Sequence, residues 1–194
     1  MARLDRMPSD VPNELDDDSI IPSTPLKWIW VSFVVIFIDQ ITKWTAEGSL
    51  ELLSEGGQSI PVMPHLNFTL AYNYGAAFSF LADQGGWQRW FFTILTAVVS
   101  VVILVWLSKL KQKEKWTAIS LSLVLGGAIG NLIDRVLHGK VIDFIDVYAD
   151  WDVFFLAQWH DGLYHFATFN VADIAINIGA VILVVGSFFV KDDA

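Results

Sequence analysis

The 194-residue chain has no cysteine. Disulfides, thiol catalysis, cysteine zinc sites and lipidation of the chain itself on cysteine are therefore excluded. Charge is scarce as well: 17% of residues are charged against 54% hydrophobic, and the mean hydropathy is +0.50. An ordinary soluble domain carries about 25% charged residues, so this composition points to an integral membrane protein. Several chemistries lack their motifs. The histidines, His65, His138, His160 and His165, show no metal spacing, and a cluster of carboxylates and amides would favour a hard ion if any. Ser79 and Ser100 stand in no nucleophile motif. No Walker or dinucleotide-binding glycine pattern occurs, and the basic residues leave no footprint for nucleic acid. Neither a metal nor another cofactor is expected.

What the chain has in quantity is apolar length. A bilayer core of about 30 Å needs about 20 mostly apolar residues as helix, and four stretches qualify, about 26–44, 90–107, 116–133 and 171–190. Trp28, Trp44, Trp90, Trp106 and Trp116 sit at the ends of the first three. An indole pairs an apolar ring with an N–H donor and settles at headgroup level, so these read as interface markers.

Residues 1–25 differ from the rest. Asp5, Asp10, Glu14, Asp16, Asp17 and Asp18 oppose only Arg3 and Arg6 among prolines and serines, which predicts a solvated, disordered acidic tail. A signal peptide is not expected there, because the apolar run begins only near Leu26 and no small-residue cleavage pattern follows.

Lysines and arginines set the expected orientation. Arg3, Arg6, Lys27, Lys109, Lys111, Lys113, Lys115 and Lys191 fall on one side, against Lys43, Arg89, Arg135 and Lys140 on the other. Both termini are thus expected to be cytoplasmic, with outer loops at about 45–89 and 134–170. In the first of these, Leu66 to Asn73 alternates at the period of a strand, and Gly75 follows among small residues that permit close backbone approach. The predicted fold class is membrane all-α with a small β element, a four-helix transmembrane bundle with a small outer sheet.

Nearly all polar residues at the span edges fall at the outer end, and an acid inside hydrocarbon needs a partner or a task. Asp39 and Lys43 are spaced to pair on one helical face, and an internal ion pair snorkelling toward the outer interface is the favoured reading. Gly126 and Gly130 have small-xxx-small spacing. Asn131, Asp134 and Arg135 then share a face, either clamping the bundle or orienting a site. Asp143 lies among apolar neighbours that disfavour its charge. Asn170 and Asp173 have the spacing of a helix N-cap and its acidic partner, a role compatible with catalysis. Asp143 and Asp173 are placed on one side of the membrane by topology. If they meet, repulsion and burial leave the pair one proton near neutral pH, so that one acid can activate water while the other protonates a carbonyl.

The blocks Asp39-Gln40-Ile41-Thr42-Lys43, Asn73-Tyr74-Gly75-Ala76-Ala77-Phe78, Gly130-Asn131-Leu132-Ile133-Asp134-Arg135, Val141-Ile142-Asp143-Phe144 and Phe169-Asn170-Val171-Ala172-Asp173 together resemble lipoprotein signal peptidase, also called signal peptidase II. The resemblance spans roughly Trp28 to Val190. It implies an intramembrane aspartic endopeptidase of the bacterial inner membrane that cuts before the diacylglyceryl-modified cysteine of prolipoproteins. It further implies a short outer, interfacial helix, a metal-free catalytic pair Asp143 and Asp173, and a site lined or shaped by Asn73, Gly75, Asn131, Arg135, Asn170, Asp39, Lys43 and Asp134. The expected partners are the lipidated substrate and membrane lipid, and the chain is expected to act as a monomer. Two features depart from the family pattern: the acidic tail, and a long aromatic stretch from Tyr148 to Ala167 that reads as an outer cover or an amphipathic flap.

Two other functional classes compete. A proton-coupled transporter would relay protons through Asp39, Asp134 and Asp173, but it would place acids at several depths. A noncatalytic lipoprotein-binding factor would bind lipidated precursor without shortening it.

Overall fold

The structure, a computed structural model, describes residues 25–75, 87–150, 158–160 and 162–189. A 3-10 turn, Pro25–Trp28, leads into α1 (Ile29–Ser49), followed by β1 (Ile60–Met63), β2 (Leu66–Asn73), α2 (Trp87–Lys109), α3 (Lys115–Leu137), β3 (Val141–Ala149), β4 (Gln158–His160), β5 (Leu163–His165) and α4 (Val171–Phe189). All four helices are long and apolar enough to cross a membrane. The acidic tail lies outside the described residues.

α3 is the central helix, with 56% of its span buried against 17–22% in the other three. Its glycines explain why. A Cβ at Gly126 would stand 2.9 Å from the Ser32 backbone of α1, one at Gly130 2.6 Å from Asp39 Oδ2, and one at Gly127 would collide with the Ala172 carbonyl of α4. Without side chains there, two helices approach α3 at backbone distance, the close packing that substitutes for a hydrophobic driving force in lipid. At the opposite end of the bundle, Leu107, Leu121 and Leu125 form an apolar cluster against which Leu26 and Trp28 pack.

The expected span limits shift at the outer end. α1 continues five residues past Trp44 and α3 runs to Leu137, so Asp134 and Arg135 belong to a helix and not to the following loop. The tryptophans divide. Trp44, Trp90, Trp106 and Trp116 are exposed, as interface markers should be, whereas Trp28 is half-buried against the apolar cluster.

The five strands follow the order β1-β2-β3-β5-β4. β2 occupies the Leu66 to Asn73 stretch expected from its alternation. Pro61, which has no N–H to donate, sits in the edge strand β1 where that loss is tolerated. β3 pairs antiparallel with β2, Ala71 opposite Asp143 and Asn73 opposite Val141. The Tyr148–Ala167 stretch contributes the end of β3 together with β4 and β5, paired antiparallel, so its described part extends the sheet. Trp151, Phe154 and Phe155 lie outside the described residues. The described part of the outer loops holds a three-residue 3-10 turn, Leu53–Glu55, and residues 76–86, 151–157 and 161 of those loops lie outside the described residues.

Candidate active site

Polar side chains collect where α1 and α3 end and α2 and α4 begin, beneath the sheet. The start of α4 organises them. Asn170 Oδ1 accepts from the Asp173 amide at 3.0 Å, and Asp173 Oδ2 accepts from the Asn170 amide at 3.2 Å. This is the reciprocal capping predicted from the spacing. A further orphan amide of the same helix, that of Ala172, donates to Asp39 Oδ1 of α1 at 2.8 Å. One helix thus caps another.

Residues 143 and 173 come together because the segment before α4 docks on β3. Phe144 N and Ile145 N donate to the Phe169 carbonyl at 3.1 and 2.9 Å, and Phe169 N returns a bond to the Ile145 carbonyl at 3.0 Å. Asn170, next in the chain, therefore lies beside Asp143. Its Nδ2 donates to Asp143 Oδ1 at 2.7 Å and also faces the Ile142 carbonyl and Asn131 Oδ1 at 3.2 and 3.1 Å. Asn131 Nδ2 in turn donates to Asp173 Oδ1 at 2.8 Å. Two amides bridge the two acids.

A second acidic cluster adjoins the first. Lys43 Nζ lies 2.8 Å from Asp39 Oδ2 and 2.8 Å from Asp134 Oδ2, and it donates to Asn131 Oδ1 at 2.9 Å. Asp134 also accepts from Gln40 Nε2 and from the Ile142 amide. The expected snorkelling of Lys43 toward the interface is corrected here. Lys43 is 1% exposed and Asp39 0%, because Asp134 supplies a second carboxylate that holds the ammonium inside. Of the two roles open for Asn131, Asp134 and Arg135, Asp134 clamps, and Asn131 both clamps and touches the acid pair.

Among the described residues Arg135 Nη1 makes one long 3.4 Å bond, to the Asn131 carbonyl, and its guanidinium lies 5.8 Å from the Phe92 ring centroid. Its buried Nε has no hydrogen-bond partner among the described residues. Asn73 Oδ1 accepts from the Gly75 amide at 2.9 Å, and Gly75 has φ +104°, a left-handed conformation suited to glycine. The Asn73 side chain also lies close to Asp143 and favours its charged form.

Burial, then the nearby charge of Asp173, pushes the Asp143 carboxyl up to about 7, while the hydrogen bond from Asn170, the nearby Asn73 side chain and the charge of Lys43 pull the other way. Asp143 is 3% exposed, whereas Asp173 is only half-buried. The buried acid thus holds a proton near neutral pH beside a more accessible carboxylate group. Among the described residues no three His, Asp or Glu side chains converge in a metal-binding arrangement.

The Signal peptidase (SPase) II family model matches residues 31–189. The chain belongs to this family. Among signal peptidase II relatives, the lipoprotein signal peptidase of Hydrogenovibrio crunogenus is 46% identical over 171 residues, covering 88% of this chain and 90% of its own length. That of Pseudomonas fluorescens (strain Pf0-1) is 50% identical over 164 residues, covering 84% and 88%. A solved structure, a bacterial membrane enzyme determined by the in meso method at 1.9 Å resolution, aligns with a TM-score of 0.67 and 31% identity over 85% of this chain and 94% of that one.

The described residues of the five sequence blocks that carry the signal peptidase II resemblance converge in space on this one polar cluster. Two participants escaped the sequence reading. Gln40 donates toward Asp39, Asp134 and the Gly130 carbonyl, and its position next to Asp39 was the only hint. Glu47 accepts from Tyr72 Oη at 2.9 Å, with Lys140 over the Tyr72 ring at 3.0 Å from its centroid, a clasp between α1 and the sheet that no local spacing announces.

Proposed function

We propose that this signal peptidase II removes the signal peptide from prolipoproteins carrying diacylglycerol on the lipobox cysteine, cutting just before that cysteine, with Asp143 and Asp173 as the catalytic pair. The observation that carries the reading is the amide-bridged acid pair, in which burial keeps a proton on Asp143. Asp173 takes a proton from water as its oxygen attacks the scissile carbonyl carbon, and Asp143 gives its proton to the carbonyl oxygen. In the resulting gem-diol the carbon–nitrogen bond then breaks. Asp173 returns its proton to the departing cysteine nitrogen, and Asp143 recovers one from a diol hydroxyl, leaving a free carboxyl on the signal peptide. The unpartnered Arg135 Nε donates to a substrate carbonyl. Asn73, Asn131 and Asn170 hold the acids, while Gly75 lets the chain turn beside Asn73.

Asp39, Lys43 and Asp134 shape the site without touching substrate. The chain works as a monomer in the bacterial inner membrane, both termini cytoplasmic and the pair at the outer leaflet, as the lysine and arginine asymmetry favours. There, water reaches the acids while acyl chains stay in lipid.

The test uses purified Asp143→Asn and Asp173→Asn in lipid with diacylglyceryl prolipoprotein. Each should lose cleavage by at least about 10³-fold, in the range for lost acid–base catalysis, with membrane insertion unchanged. Full turnover by either variant removes the pair from the reaction. Binding without cleavage by the unaltered protein would instead favour the noncatalytic factor.

A further inference from the structure

A groove of about 770 Å³ runs along one face of α1, from Phe33 to Glu47, against the end of α3 and Ile142 of β3. It is not the proposed active site. None of Asp143, Asp173, Asn131 or Asn170 lines it. Lys43 and Asp134 stand between, touching the groove on one side and bonding Asn131 and the Ile142 amide on the other.

Its dimensions and chemistry specify an occupant. Phe33 to Trp44 is twelve residues of helix, a rise of about 16 Å, which matches half of a hydrocarbon core of about 30 Å. Phe33 and Phe37 are 65% and 66% exposed and Trp44 77%, so the groove opens to the bilayer, with an interface-seeking indole at its shallow end. It is therefore one leaflet deep, the reach of a single acyl chain. Glu47 and the exposed His138 line its mouth, and Lys140, itself outside the lining, stands 3.9 Å from Glu47, so both signs are at hand for a zwitterionic headgroup. The rest of the lining is apolar apart from Gln40 and the mutually paired Lys43 and Asp134. The Gln40 amide is turned inward onto Asp39, Asp134 and the Gly130 carbonyl, leaving a hydrocarbon-compatible floor.

We propose that this groove is a resident-lipid site, holding one acyl chain of a zwitterionic glycerophospholipid from the leaflet nearest Asp143 and Asp173. The lipid lies against Gln40, the last side chain before the buried Lys43 cluster. This site is independent of the catalytic assignment.

The full chain, purified in detergent from phosphatidylethanolamine vesicles and exchanged into lipid-free detergent, should retain one phosphatidylethanolamine by native mass spectrometry. Ile41→Trp, at an exposed lining position that folding tolerates, and Ile36→Trp should each cut that retention at least tenfold. Val101→Trp, on the exposed face of α2, should keep it, as should Asp143→Asn. Equal retention by the groove variants, or none by the unaltered protein, overturns the proposal. So does one-for-one displacement by a diacylglyceryl peptide, which would assign the groove to substrate.

Discussion

Two pairs of carboxylates lie side by side at one end of this bundle, and they differ in what bonds them. Asp39 and Asp134 share the ammonium of Lys43 at 2.8 Å each, while Asp143 and Asp173 are bridged by the neutral amides of Asn170 and Asn131. A buried cation ties its acids together and makes them structural, since removing one partner of such a cluster leaves another charge uncompensated. Amides hold an acid in place without demanding its charge. Asp143 is thereby free to keep a proton, and the pair to pass protons. Asn131 touches both clusters, accepting from Lys43 and donating to Asp173, so the Lys43 cluster orients the amide-bridged pair.

The sharpest way to break this contrast is to exchange the consequences. Lys43→Met strands Asp39 and Asp134 and should cost about 3–5 kcal/mol of stability, read as a large drop in thermal midpoint in lipid. Asp143→Asn should instead leave the midpoint near its starting value while abolishing cleavage. If both variants lose stability equally, the two clusters do not differ in kind.

A smaller effect is expected of Gly130→Ala, whose Cβ would press on Asp39 at 2.6 Å. Overpacking of this sort costs about 1–3 kcal/mol, and the α4 cap made by Asp39 should loosen with it. Activity should fall alongside stability, and Asp39→Asn should not add to the loss.

Titration bears on Asp143 directly. Asp143 binds its proton more tightly folded than unfolded, so between the ordinary carboxylate range and about pH 7 the folded protein carries the extra proton. Stability should then decline as pH rises through that window, and should stop declining above it. Asp143→Asn should remove this slope. Cleavage should weaken in parallel above about pH 7, where the pair loses its proton, as followed by initial rates from pH 5 to 9.

The smallest change concerns the outer clasp. Tyr72→Phe deletes the hydroxyl bonded to Glu47 at 2.9 Å and should cost about 1 kcal/mol, with cleavage little altered. A large catalytic loss there would mean that the sheet, and not the Lys43 cluster, positions the site.

Local patterns carried much of this protein in the sequence itself. Four apolar lengths became four helices, alternation from Leu66 to Asn73 became β2, and the three-residue spacing of Asn170 and Asp173 became a capping box. Each is a property of one segment, written in its own periodicity or spacing. The burial of Lys43 was not legible, because its second acid, Asp134, comes from another helix. Nor was the meeting of Asp143 with Asp173, which needs Phe169 paired to β3 and Asn131 reaching across from α3. Such contacts depend on which faces of distant segments touch, and a side chain buried between two elements leaves no period in either one. The sequence determined which stretches are long and apolar enough to cross a membrane and which acids stand near their ends. The tertiary structure alone decided which of those acids met a cation and which met an amide.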